Sequence, residues 1–243
     1  MTLTGYILLF ASVMLSGLWA LGQKNVNPKR LKLLLAFSGA YLFALCVLHL
    51  IPDVYSGSGK NIGYFILAGF LLQLVLEFFS EGIEHGHIHI HKTHHHTFPF
   101  TVIFSLSLHS FLEGMPLSEA SGNSHVQNSL LTGIILHHIP VAMALAAMLL
   151  ESGVRKNLII VCILLFAGMA PLGAFISTML GEGAAHRLNG GLWEYYPQII
   201  GLVIGIFLHI STTILFEATE DHRFNYYRIL TIVAGVGAAI VIL

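Results

Sequence analysis

Charge is what this sequence has least of. Its 243 residues include only 11 Lys or Arg and 12 Asp or Glu, 9% charged against 56% hydrophobic, whereas a soluble domain carries roughly a quarter charged residues. The two signs nearly cancel, which excludes a basic surface for nucleic acid and an acidic disordered tail. Cysteine is scarce as well. Cys46 and Cys162 stand far apart in apolar stretches, so neither a disulfide framework nor a thiolate metal motif is available. Long polar stretches are also missing, leaving no room for a soluble domain, and the chain reads as one transmembrane domain over 1–243. What is present in excess is histidine: 15 residues, more than Lys and Arg together.

A helix that crosses hydrocarbon needs about 20 mostly apolar residues. Stretches that avoid charge predict an all-α polytopic membrane protein with eight spans, near 3–22, 33–52, 61–79, 99–117, 128–150, 157–180, 196–216 and 225–243. The first lacks a basic leader and has a longer apolar run than a cleavable signal, so a retained helix is expected. Loops one, three, five and seven hold Lys24, Lys29, Arg30, Lys32, Lys92, Arg155, Lys156, Arg223 and Arg228; the other loops hold Lys60 and Arg187. By the positive-inside rule the odd loops face the cytoplasm and both termini lie outside. That orientation suits a bacterial inner membrane or a plasma membrane. Gly201 and Gly205 have the small-residue spacing of closely packed helices.

Ionisable side chains at membrane depth are costly and mark functional sites. In the fourth span His109 and Glu113 are four apart, on one helical face, with Ser110 beside His109. In the fifth, His137 and His138 precede Pro140, whose ring removes a backbone hydrogen bond. Imidazole and carboxylate without thiolate suit zinc and its first-row neighbours better than magnesium or calcium. A lone intramembrane His is as readily a packing residue as a ligand; three with one Glu on consecutive spans favour a metal site.

Further polar residues extend the set. His49 and Asp53 flank Pro52 near the outer end of the second span, as an entrance site or an ordinary helix end. Gln73, Glu77 and Glu81 form a stripe at spacing four on the third span; His209, Thr213 and Glu217 form another on the seventh. Loop three, at about 81–98, carries His85, His87, His89, His91, His94, His95 and His96, seven of the fifteen. Such a tract binds metal by composition and suits a receiving or buffering role rather than a fixed tetrahedral site.

These residues resemble the ZIP family of zinc and iron transporters, in the branch with a His-rich cytoplasmic loop between spans three and four. His-Ser-Phe-Leu-Glu-Gly at 109–114 is similar to the family's His-Asn-Phe-x-Asp-Gly, and His-His-Ile-Pro-Val-Ala at 137–142 to its His-Glu-Ile-Pro-His-Glu. His-Leu-Ile-Pro-Asp at 49–53 is similar to its His-Leu-Leu-Pro-Glu, and Glu77 matches the Glu of its third-span Glu-Lys, with Phe78 in place of the lysine. The chain departs from the pattern at Ser110, His138, Val141 and Ala142, and its sixth span has no acid. The resemblance therefore carries one metal position, at His109, Glu113 and His137, and not the shell of a second.

The resulting expectation is a transporter, not an enzyme, importing a divalent metal, foremost Zn²⁺, into the cytoplasm by alternating access. Its metal ligands would be His109, Glu113 and His137, with Ser110 and His138 acting directly or through water. It requires no cofactor, the metal being substrate. Its partners are that ion and the bilayer, with a homodimer as assembly and no nucleic acid. One divalent ion beside a single carboxylate leaves the site near plus one, which predicts weak binding and easy release. Ligand imidazoles must be neutral, and their reference pKa is about 6.5, so mild acid should compete with metal. Two other readings are an intramembrane zinc metallohydrolase, with His109, His137 and His138 as ligands and Glu113 as base, and a transport-poor metal sensor. Metal flux separates transport from both.

Overall fold

A computed structural model describes residues 1–23, 26–57, 61–80, 82–83, 99–118, 124–185, 195–217 and 226–242. Among them the regular structure is entirely helical. Helix α1 (Leu3–Gly22) starts at Thr2, whose Oγ1 accepts from the Gly5 N–H at 3.3 Å. Helix α2 (Pro28–Leu45) starts at Asn27, whose Oδ1 accepts from the N–H groups of Lys29 and Arg30, and Pro28 occupies the first turn where no donor is needed. A π turn, Cys46–Leu50, then joins α2 to α3 (Ile51–Gly57). Its widened ring lets Ile51 N–H reach Cys46 O five residues back, just ahead of Pro52, which has no N–H of its own to continue the ladder.

Helix α4 covers Ile62–Ser80, and α5 covers Phe100–Gly114 and tightens into a 3-10 turn at Met115–Leu117. Helices α6 (Ser124–Glu151), α7 (Lys156–Ala185), α8 (Tyr196–Glu217) and α9 (Tyr226–Ile242) complete the chain. The α6–α7 reversal is made by Gly153 at φ +73°: Val154 N–H closes on Leu149 O and Gly153 N–H on Leu150 O. Only glycine takes that backbone conformation without strain. Seven apolar helical stretches reach spanning length, with Pro28–Ser56 running through the π turn as one, and Tyr226–Ile242 is a shorter eighth. The eight expected spans are therefore present. Several helices overrun their apolar windows, because helix continues into the polar interface where hydrophobicity stops; Pro28 begins α2 five residues before the expected boundary.

The helices pack as two groups. One contains α1, α5, α6 and α7; the other contains α2 with α3, α4, α8 and α9; α2 against α6 and α4 against α5 make the main joints between them. Within groups, glycines allow backbone to touch backbone. A Cβ on Gly114 of α5 would lie 2.0 Å from Ala170 O of α7, and one on Gly173 of α7 would lie 2.0 Å from Phe111 O of α5. The α4–α8 pair repeats this reciprocity, with Gly69 against Leu202 O and Gly205 against Ile66 O, each at 1.9 Å. Gly205 thus does what its spacing suggested. Side-chain hydrogen bonds between the groups include Tyr41 Oη to Ser129 O at 3.2 Å, Ser105 Oγ to Leu76 O at 2.6 Å, and Tyr196 Oη to Pro116 O at 3.1 Å.

Candidate metal centre

Helix α5 carries His109 and Glu113 one turn apart, and α6 brings His137 and His138 against them just before Pro140; all four are buried. The three imidazole centroids lie 6.1 to 6.4 Å from one another. Glu113 divides its two oxygens. Oε1 lies 3.2 Å from His109 Nε2, while Oε2 accepts from the Nε2–H of His138 at 2.7 Å. His109, Glu113 and His137 each offer one donor atom within 4.8 Å of the other two.

The tautomer of His109 is set from α4. Its Nδ1–H donates to Oε1 of buried Gln73 at 3.0 Å, which leaves the lone pair on Nε2, facing Glu113. An imidazole lone pair and a carboxylate oxygen that meet at 3.2 Å repel each other in a dry interior unless a proton or a metal ion sits between them. In a zinc tetrahedron, metal–ligand bonds of about 2.0–2.1 Å separate neighbouring ligand atoms by about 3.3 Å. The N–O edge has that length. Gln73 supplies the outer partner that a ligating His ordinarily has.

Ser110 is buried in the same turn, and its Oγ has no hydrogen-bond partner among the described residues. His138 is not one of the three mutually close donors and acts on Glu113 instead. Glu77 and His209 form a separate ion pair between α4 and α8, with Phe70 edge-on to the His209 ring at 4.8 Å. Near the π turn, His49 is half-buried and Asp53 exposed, and among the described residues no hydrogen bond or ion pair joins their side chains to the centre. His85, His87, His89, His91, His94, His95, His96 and Glu81 lie outside the described residues. The residue that sequence reasoning passed over is Gln73. Its membership of the polar stripe was visible, but its bond to His109 spans 36 residues and two helices.

The family model described as ZIP Zinc transporter matches residues 86–243 of this chain. The chain belongs to the ZIP family. Its relatives include "Zinc transporter ZIP1" of Danio rerio, 25% identical over 78% of this chain and 76% of its own length. "Zinc transporter ZIP1" of Homo sapiens is 25% identical over 86% of this chain and 76% of its own. "Zinc transporter ZIP9" of Micropogonias undulatus is 29% identical over 66% and 55% respectively. This ZIP protein is an integral multi-pass membrane protein and a metal transporter rather than an enzyme. The metallohydrolase reading also required His138 as a ligand and Glu113 as a base, whereas Glu113 itself stands among the close donors and His138 does not.

Proposed function

We propose that this protein carries Zn²⁺ or a chemically similar divalent ion from the outer face to the cytoplasm by alternating access, the ion being held by His109, Glu113 and His137. The observation that carries this reading is the apposition of His109 Nε2 and Glu113 Oε1 at 3.2 Å, with the His109 proton committed to Gln73 on the far side of the ring. Two acceptors held at the edge length of a zinc tetrahedron, out of contact with water, are arranged for a cation. Zinc is the metal in the names of the relatives. Inward flow is what the family likeness implies, and the His-rich loop three, placed on the cytoplasmic side by the basic residues of the odd loops, would receive the ion there.

The test is Zn²⁺ uptake into sealed vesicles containing the purified protein, with His109→Ala and Glu113→Ala beside wild type. Time-dependent accumulation by wild type and at least a tenfold loss in both variants are expected. Undiminished uptake in both would remove the site, and binding without flux would favour a sensor.

A further inference from the structure

We infer that His138 is a positioning residue and not a ligand: it occupies the second oxygen of Glu113 and so makes the centre mononuclear. The inference rests on the metal-centre reading above and specifies its stoichiometry. A carboxylate that bridges two ions gives one oxygen to each. Here Oε1 lies 3.2 Å from His109 Nε2, while Oε2 is taken by the His138 N–H at 2.7 Å. With that hydrogen bond in place, Glu113 has one oxygen left to offer, and its direction is set.

Two features argue against His138 turning its Nε2 to the metal. A ligating imidazole donates its other N–H to an acceptor, as His109 does to Gln73. His138 has no such acceptor, because its Nδ1 is buried without a hydrogen-bond partner among the described residues. Ligation through Nε2 would move the ring proton to Nδ1 and strand a buried donor. The surroundings are also wrong for a second ion. The Phe166 ring of α7 lies 5.3 Å from the His138 ring, and Val141 and Ala142, one turn further along α6, are fully buried in the apolar core. A second cation on the Oε2 side would meet hydrocarbon where it needs oxygen or nitrogen. The cargo is therefore one ion held by two imidazoles and one carboxylate oxygen, a donor set that prefers zinc or cobalt to manganese or magnesium.

The probe is Co²⁺ bound to the full chain in lipid nanodiscs, followed by its visible d–d bands and its electron paramagnetic resonance. Bands lost in His109→Ala belong to the centre, which separates them from ion held by the His-rich loop. Wild type is expected to show an uncoupled Co²⁺ spin there. His138→Gln, which keeps an N–H donor but has no imidazole, should retain the band positions and an affinity within about threefold of wild type. His138→Leu should shift the bands and lose at least tenfold in affinity, the scale of a removed outer-shell hydrogen bond. A spin-coupled Co²⁺ pair in wild type, or a His138→Gln spectrum displaced as far as that of His138→Leu, would overturn the inference. His138→Gln decides the ligand question even if His138→Leu does not fold. Bands that survive His109→Ala would instead remove the metal-centre reading itself, and the role of His138 with it.

Discussion

At the scale of single residues, Gln73 decides which nitrogen of His109 is available without itself being close to the ion. Gln73→Leu keeps the volume of the side chain near constant and removes the acceptor for Nδ1–H. The ring is then free to rotate or to change tautomer. The expected outcome is a loss of about 10- to 100-fold in Zn²⁺ affinity, the usual effect of deleting a hydrogen-bond partner of a metal-bound His. It would be read as a raised half-saturation concentration in vesicle uptake with the protein still folded. The closeness of His109 and Glu113 was legible in the sequence because they are neighbours at spacing four on one helix, and spacing along a helix translates directly into proximity. Gln73 was not legible in that role. Nothing in a one-dimensional pattern says which of the polar residues on α4 meets α5, and the spatial division of labour between His137 and His138, adjacent in sequence, depends on how α6 is rotated.

At the scale of elements, the close helix pairs carry the sharpest constraint. Gly114 follows Glu113 directly, so the point where α5 and α7 touch backbone to backbone lies at the metal centre. Gly114→Ala cannot be absorbed by a side-chain shift, since the neighbour is the Ala170 carbonyl. The helices must separate, at a cost of about 1–3 kcal/mol for an overpacked contact, and Glu113 moves with α5. Loss of uptake accompanied by a lower melting temperature is expected, whereas Gly168→Ala, with open space around its Cβ position, should leave both unchanged. A wild-type melting curve for Gly114→Ala would contradict the contact. Hydropathy placed the spans to within a few residues because hydrocarbon thickness fixes the length of an apolar run. It gave no warning of the π turn at Cys46–Leu50, which is a hydrogen-bond rearrangement within an uninterrupted apolar stretch.

At the scale of the whole molecule, the two helix groups differ in how they hold together internally and against each other. Backbone-to-backbone contacts at glycine lock α5 to α7 and α4 to α8, while exchangeable side-chain hydrogen bonds such as Tyr41 to Ser129 join the groups. Contacts of the second kind are easily broken and remade, as a relative shift of packed helices requires. Joining cysteines at Leu42 and Gly133, across the α2–α6 joint, with a short bifunctional thiol reagent should abolish uptake. Joining cysteines at Gly39 and Ile214, both in the second group, should leave most of it. Cys46 and Cys162 are replaced by Ser in both cases. Equal inhibition by the two cross-links would argue against a shift between groups. The span count was readable from the hydropathy pattern, because the bilayer imposes one rule on every span; which spans associate was not, since lipid-facing and helix-facing apolar residues look alike in sequence.

Complete burial of the His109–Glu113–His137 cluster has one more consequence. At the proposed site an ion would reach those donors only after giving up nearly all of its hydration shell, so passage would filter by how readily a cation parts with water as well as by which atoms it prefers. Magnesium, which dehydrates reluctantly and demands an octahedron of oxygens, would fail on both grounds. The abundance of such an ion in the surroundings then gives it little chance of riding through in place of a scarce one.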